Sequence, residues 1–238
     1  MSVFARLILE SNFGGLMIIE SRMTKNPITC TPDISIHDAS DLMAKEHVHR
    51  LPVLDKNGKL VGVISEKDIL RAAPSPATTL SAYETNYLLS KLTVKKIMSR
   101  NPITITKDTT VEAAATLMVD QDLSCLPVIE GEHLVGIVSK SDLFKMLLET
   151  FGSRINGTTI TFMVKEGKGV LSEIIGKISS QQLDLITCSC FAGTDPTNRC
   201  ISIKVAGISG SALVDLIKPF ALEILDVEES NKLLHLSF

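Results

Sequence analysis

The chain has 238 residues, of which 45% are hydrophobic and 21% are charged, a composition typical of a folded globular protein. Aromatic residues make up only 4%, and Trp is absent, so the core is expected to be aliphatic. The net charge of −3, with both signs interspersed, argues against binding of nucleic acid or an anionic membrane by bulk electrostatics.

The cysteines and the N-terminus indicate the compartment. There are five cysteines, an odd number without a C-x-x-C pair, which favours reduced thiols over a disulfide framework. No apolar run is long enough to span a membrane. Residues 1–20 are assigned to an N-terminal extension without a signal-peptide pattern. We therefore expect a cytoplasmic protein.

One segment of the chain recurs farther along it. Residues 23–29 (MTKNPIT) return as residues 98–104 (MSRNPIT), and LPV at residues 51–53 returns at residues 126–128. VGVIS at residues 61–65 returns as VGIVS at residues 135–139. So many matches in the same order indicate an internal repeat.

Each repeat has the pattern of a β-α-β-β-α unit. Pro in Asn-Pro-Ile-Thr favours an extended start. A helical face follows in each copy: Ile36, Ala39, Ser40 and Met43, then Val111, Ala114, Ala115 and Met118. Ser35 and Asp38 resemble a capping box. Strands are predicted at residues 51–54 and 60–64 around a hairpin turn, and at residues 126–129 and 134–138. A helix begins after Ser65 and again after Ser139.

This tandem unit resembles a CBS-domain pair (a Bateman module), with repeat 1 at residues 21–72 and repeat 2 at residues 93–150. The motifs that carry the resemblance are two copies each of M-[ST]-x-N-P-I-T, of L-P-V and of G-h-h-S-x-x-D, where h is apolar. A single unit of this size buries too little surface to be stable alone, so the two are expected to pair.

The segment from Ser65 to Asp68 runs from a strand into a helix, and the segment from Ser139 to Asp142 repeats the arrangement. A helix N-terminus favours an anion, and the Asp oxygens are able to accept both hydroxyls of a ribose. Ser and Asp at a helix start are also common caps. Their recurrence within the repeat favours the ligand interpretation.

The family resemblance implies two adenosine-nucleotide sites in the cleft between the repeats. Adenine would pack on one repeat, while the other repeat would supply the ribose Asp. The first set would be Thr24, Ile28, Thr29, Val48 and His49 with Ser139 and Asp142. The second set would be Ser99, Ile103, Thr104, Leu123 and Ser124 with Ser65 and Asp68.

The two predicted sites are not equivalent. The first repeat carries His49-Arg50 before its Leu-Pro-Val, where the second carries Ser124-Cys125. In family members that bind AMP or ATP, a His-Arg pair at this position contacts phosphates, for which the Arg fork is suited. The alternative is a solvated basic edge. We hypothesise that only one site is well equipped for phosphates.

The stretch between the repeats, residues 73–92, begins with Pro and Ser and continues as a predicted helix over residues 80–91. This helix is expected to pack over the pair or to make a dimer contact. The sequence SPATTLSAYETNYLLSKL resembles acetoin-utilisation proteins of the AcuB type, which also carry a C-terminal ACT-like domain.

The last part of the chain predicts strands and helices in the order βαββαβ, a ferredoxin-like arrangement. Residues 157–230 resemble an ACT domain, in which the loop formed by Gly167, Gly169, Val170 and Leu171 would bind an amino acid. The loop departs from the family pattern, since Lys165-Glu166 replaces its acidic residue and no Pro precedes Gly169. A dimerising sheet with a tight turn is the alternative. The expected fold class is therefore α/β (α+β), a CBS pair followed by an ACT-like domain.

Cys188 and Cys190 share one strand face, and Cys200 would lie opposite Cys190 if the hairpin pairs these two residues. Three thiols are able to hold zinc, but no His lies nearby in the sequence and buried free Cys is commonly a small hydrophobe. No metal site is predicted.

No P-loop, H-E-x-x-H or G-x-S-x-G motif is present, so we expect no enzyme and no catalytic cofactor. The expected function is a regulatory sensor for AMP, ADP, ATP or S-adenosylmethionine. It would signal to an unknown client protein through rearrangement of a homodimer. The alternatives are an oligomerising adaptor with vestigial sites and a small hydrolase or transferase.

Overall fold

The structure is a computed structural model that describes residues 17–73, 87 and 89–230. The chain divides into two compact units, Met1–Leu143 and Phe144–Phe238. Most of the predicted N-terminal extension and of the helix at residues 80–91 lies outside the described residues, although residues 89–91 are helical. The domain limits drawn from the sequence stay predictions. No described helix is both long enough and apolar enough to cross a membrane.

The two repeats contain the predicted elements in the predicted order. Repeat 1 has β1 (Thr24–Lys25), α1 (Ile36–Lys45), β2 (Arg50–Leu54), β3 (Leu60–Ser65) and α2 (Glu66–Ala72). Repeat 2 begins with a short helix, α3 (Val94–Ile97), and continues with β4 (Ser99–Arg100), α4 (Val111–Asp120), β5 (Cys125–Glu130), β6 (His133–Ser139) and α5 (Lys140–Thr150).

Local sequence signals explain where these elements begin. Ser35 caps α1 by accepting a hydrogen bond from Asp38 N at 3.0 Å, and Thr110 caps α4 in the same way. The apolar faces are buried as predicted: Ile36, Ala39 and Met43 on α1, and Val111, Ala114 and Met118 on α4. Between β2 and β3, Asp55 Oδ1 accepts from Asn57 N and Lys59 N, which closes the hairpin turn.

The repeats exchange their first strands. β1 of repeat 1 pairs antiparallel with β6 of repeat 2, with Thr24 opposite Ile137. β4 of repeat 2 pairs with β3 of repeat 1, with Ser99 opposite Val63. Each three-stranded sheet, in the order β1-β6-β5 or β2-β3-β4, therefore contains a strand from each repeat. The sequence predicts the strands but not this exchange.

The exchanged strands approach their partners closely. A Cβ atom at Gly62 would lie 2.6 Å from Met98 Sδ and 2.9 Å from Ser99 O, and Gly136 faces Met23 and Thr24 O in the matching place. The absence of a side chain at Gly62 and Gly136 is what lets the exchanged strand and its Met lie flat on the sheet.

The C-terminal unit has the predicted βαββαβ order. Its elements are β7 (Gly157–Lys165), α6 (Val170–Ser180), β8 (Asp184–Ala192), β9 (Asn198–Ala206), α7 (Gly210–Ile217) and β10 (Glu223–Ser230). The strands form one antiparallel sheet in the order β10-β7-β9-β8. Side chains such as Phe162 and Ile203 from the central strands pack against Ile174 and Leu213 from the helices to form its core.

The register that would bring Cys200 opposite Cys190 does not occur. Asp184 pairs with Ala206, and the same register extended along the hairpin would bring Cys190 opposite Cys200. A β-bulge between Leu185 and Thr187 inserts one residue, so Phe191 is opposite Cys200 and Cys190 is opposite Ile201. Cys200 therefore lies on the other face of the sheet from Cys188 and Cys190.

Replacing Gly62 with Ala should lower the free energy of unfolding by about 1–3 kcal/mol, because the new methyl group overpacks the exchanged strand. Urea denaturation followed by circular dichroism would measure the change. The matched control is Gly176→Ala, whose Cβ meets no atom within 4 Å and should be neutral or stabilising by up to about 1 kcal/mol. A Gly62→Ala variant as stable as the unmodified protein would contradict the close approach.

Candidate functional site

Two Ser–Asp boxes begin α2 and α5 with matching geometry. Ser65 Oγ and Ser65 N donate to Asp68 Oδ2 at 2.6 and 2.9 Å, and Asp68 N donates to Ser65 Oγ at 3.3 Å. The corresponding distances between Ser139 and Asp142 are 2.6, 2.9 and 3.3 Å. Each box is thus a helix cap built on Oδ2 of its carboxylate.

Strand exchange brings the start of each repeat to the box of the other. Thr24 lies opposite Ile137, two residues before Ser139 on the same strand. Ser99 lies opposite Val63, two residues before Ser65. The backbone pairing therefore brings Thr24 near the Ser139–Asp142 box and Ser99 near the Ser65–Asp68 box, as the two predicted sets require.

The corresponding residues of the two sets have the same degree of exposure. Ile28 and Ile103 are exposed at 39% and 41%. The exposed residues are Thr24, Ile28 and His49 in one set and Ser99, Ile103 and Ser124 in the other; the partly buried ones are Thr29, Val48, Ser139 and Asp142, and Thr104, Leu123, Ser65 and Asp68. The symmetry of the repeats thus extends to the exposure of the residues in the two predicted nucleotide sites.

Arg50 lies with the second set. Its Nε donates to Ser124 Oγ at 2.9 Å, and Arg50 is the β2 residue paired with Ser65. The pKa of the adjacent Cys125 thiol is raised mainly by burial; the positive charge of Arg50 lowers it and the negative charge of Asp68 raises it. Arg50, Ser124 and Asp68 therefore share one neighbourhood that contains residues from both repeats.

His49 contacts a residue beside the same box. Its Nδ1 lies 2.9 Å from Glu66 Oε2, and Glu66 follows Ser65 in the chain. The sequence prediction grouped His49 with Ser139 and Asp142, whereas this contact lies on the side of the second set. Glu66 was not singled out from the sequence. A usable signal existed, because Lys140 occupies the equivalent position in repeat 2 and the two repeats therefore differ in charge there.

The loop residues predicted in the C-terminal unit lie at the start of α6: Gly167 and Gly169 precede the helix, and Val170 and Leu171 are its first two residues. Gly169 has φ +91° and begins the helix, while Val170 and Leu171 pack partly against the core. Gly167 and Gly169 are exposed. This left-handed conformation accounts for Gly at position 169, which agrees with the tight turn considered from the sequence.

The cysteines of β8 form no metal cluster. Burial, followed by the neighbouring Cys190, raises the pKa of the Cys188 thiol, which disfavours the thiolate that a metal ion would need. Within the described residues, no group of three or more His, Cys, Asp or Glu side chains is placed to hold a metal ion.

Known proteins resemble the first part of the chain. The uncharacterized protein MJ1426 of Methanocaldococcus jannaschii is 35% identical in an alignment of 169 residues that covers 60% of this chain and 99% of that protein. L-aspartate semialdehyde sulfurtransferase of the same organism is 31% identical over 132 residues, 55% of this chain. The chain spans only 23% of the length of that enzyme.

Three solved structures are similar over about half of the chain. The CBS pair of protein MJ0100, in complex with 5′-methylthioadenosine and S-adenosyl-L-methionine, has 31% identity and a TM-score of 0.46, over 55% of this chain and 94% of its own. CBSX2 in complex with AMP has 28% identity and a TM-score of 0.46, over 56% and 97%. A putative acetoin utilization protein (AcuB) from Vibrio cholerae has 26% identity and a TM-score of 0.47, over 56% and 91%.

The family model named "CBS domain" matches residues 6–75 and 94–149, which together make up more than half of the chain. Both matches fall on the two repeats whose strands are exchanged in the structure. The chain belongs to the CBS-domain family, and its two repeats are a CBS pair.

Proposed function

We propose that this protein is a non-catalytic regulatory sensor that binds an adenosine nucleotide between its two CBS repeats. The observation that carries the proposal is the strand exchange, which twice joins the start of one repeat to the Ser–Asp box of the other. The first compounds to test are those bound in the complexes of MJ0100 and CBSX2, namely AMP, 5′-methylthioadenosine and S-adenosylmethionine. ADP and ATP complete the panel.

The ribose would bind at the Ser–Asp boxes. Oδ2 of Asp68 is engaged in the helix cap, and Oδ1 is the oxygen that would accept from ribose hydroxyls. The start of α2 also presents the positive end of the helix dipole. Asp142 occupies the equivalent position at the start of α5.

The adenine base would pack on the exposed isoleucines. Ile28 and Ile103 offer flat apolar surface, and partly buried Thr29 and Thr104 supply hydroxyls beside them. Val48 and Leu123 are partly buried in both repeats and would complete the apolar wall. Burying these side chains against a base removes apolar surface from water, which favours binding.

Phosphates would bind at the site of the second set rather than equally at both sites. Arg50 contacts Ser124 through Nε, so its two terminal nitrogens retain donors suited to phosphate oxygens. At the equivalent position of repeat 2 stands Cys125, which carries no positive charge. This difference supports an asymmetric pair in which one site prefers phosphorylated ligands.

The signal would pass to a client protein through rearrangement of a homodimer in the cytoplasm. Phe144 and Leu147 on α5 are exposed at 64% and 47%, and exposed apolar surface of this kind favours self-association.

We also propose that the C-terminal unit is an ACT-like domain and that the protein is of the acetoin-utilisation AcuB type. The βαββαβ order and the β10-β7-β9-β8 sheet support the ACT-like part of this proposal.

Asp68→Ala and Asp142→Ala should each lower the affinity of one site for adenosine ligands about 10- to 100-fold. Each change removes a charged hydrogen-bond acceptor worth about 1.5–3 kcal/mol. Isothermal titration calorimetry with the ligand panel would measure the loss.

Asp38→Ala is the matched control for these two variants, because Asp38 makes a similar cap with Ser35 but lies in neither predicted set. It should lose stability without losing affinity. Equal affinity in Asp68→Ala, Asp142→Ala and the unmodified protein would overturn the site assignment. If no member of the panel binds the unmodified protein, an oligomerising adaptor becomes the better interpretation.

Arg50→Gln should weaken AMP binding at one site about 10- to 100-fold while leaving adenosine affinity nearly unchanged, because only AMP carries the phosphate that Arg50 would contact. Calorimetric titrations with AMP and with adenosine measure the two effects separately. Arg71→Gln, an exposed change on α2, is the control. An equal loss for both ligands would show that Arg50 acts on the base, the ribose or the fold rather than on phosphate.

A further inference from the structure

The C-terminal unit has a pocket of about 620 Å³ on the face of its sheet that the helices leave uncovered. Core side chains such as Ile201 and Ile203 point to the helix side of β9, so the alternating Ser202 and Lys204 point to the opposite face. Ser202 and Lys204 line the pocket together with Ser153, Thr159, Thr187 and Glu228. The wall is therefore rich in hydroxyl groups.

Lys204 is the unusual member of this wall. Lys204 is only 4% exposed, and its Nζ donates a hydrogen bond to Gly152 O at 2.9 Å. Among the described residues, no carboxylate forms an ion pair with it. An ammonium has three donors, and a buried charge is costly unless it is paired. The contact with Gly152 O uses one of these donors. The other two donors and the positive charge of Lys204 are left for an anionic partner.

The groups around Lys204 define what that partner would carry. Thr159 and Thr187 lie directly opposite Lys204 on the two neighbouring strands. Glu228 lies opposite Thr159 on β10, two strand spacings from Lys204, which is about 10 Å. The pocket thus has a cationic end, hydroxyl groups along its floor and an anionic end that accepts hydrogen bonds but repels a second anion.

We propose that this pocket binds a small hydroxylated ligand with a single anionic end. The carboxylate or phosphate group accepts hydrogen bonds from Lys204 Nζ, and the ligand hydroxyls bond to the Thr and Ser side chains and donate to Glu228. This site lies within the C-terminal unit and is independent of the adenosine sites proposed above.

Calorimetric titration of the full chain with four probes tests the proposal. Glycerate and glycerol 3-phosphate, each with one anionic end, should bind saturably. Glycerol has the hydroxyls without the charge and should not bind. 3-Phosphoglycerate, which has an anion at both ends, should bind more weakly than either. The probe that binds better identifies the anionic group as carboxylate or phosphate.

Lys204→Met should reduce the affinity of the bound probe about 10- to 100-fold, since it removes the charged donor and keeps the apolar stem. Lys177→Met, an exposed change on α6, is the control and should bind as the unmodified protein does. Titration with AMP should be unaltered in Lys204→Met, so a failure of this site is distinguishable from a failure of the adenosine sites.

Two outcomes would overturn the proposal: no binding of either probe with one anionic end to the unmodified protein, or equal affinity in Lys204→Met. If Lys204→Met does not fold, Thr187→Val combined with Ser202→Ala removes two hydroxyls and leaves the buried ammonium in place. That variant should bind the probe at least 10-fold more weakly, and unchanged affinity would equally overturn the site.

Discussion

The exchange of two-residue strands between the repeats is the interaction on which the first unit depends. A two-stranded hairpin such as β2–β3 is marginal in water, and β4 from the other repeat makes it a three-stranded sheet. The reciprocal pairing of β1 with β6 does the same for repeat 2. Gly62 and Gly136 permit this contact because a Cβ at either position would collide with the exchanged strand. The repeats therefore stabilise each other, and any surface at the exchange contains residues from both.

The Ser–Asp boxes link stability to the proposed binding. In each box one carboxylate oxygen accepts from the backbone N–H and the hydroxyl of the Ser, and this also fixes the direction of the other oxygen. A carboxylate that is already held in place loses little conformational freedom when a ligand binds, which favours affinity. The cap and the ribose contact are thus compatible roles for Asp68 and Asp142, and the second role does not require the first to be given up.

The sequence predicted features that depend on nearby residues and missed those that depend on distant ones. Periodic apolar residues located α1 and α4, and the turn at Asp55 located the β2–β3 hairpin. The partner of a strand as short as β1 has no periodicity to reveal it. The bulge between Leu185 and Thr187 has no marker in the sequence and shifts Cys200 to the other face. The two site sets came from family resemblance and stay predictions, and the contact between Arg50 and Ser124 depends on the pairing of the repeats.

Lys204 illustrates the same limit on the surface of the C-terminal sheet. The alternation of Ile201, Ser202, Ile203 and Lys204 predicts one core face and one solvated face, and the core face is as predicted. The Lys is nevertheless buried, because Gly152 lies against Thr187 and its carbonyl accepts from Nζ. A single neutral carbonyl engages one of the three ammonium donors and carries no countercharge. An anion in the adjoining pocket would accept hydrogen bonds from Lys204 Nζ and supply the countercharge. A buried ammonium without a countercharge among the described residues distinguishes this pocket from an ordinary polar surface.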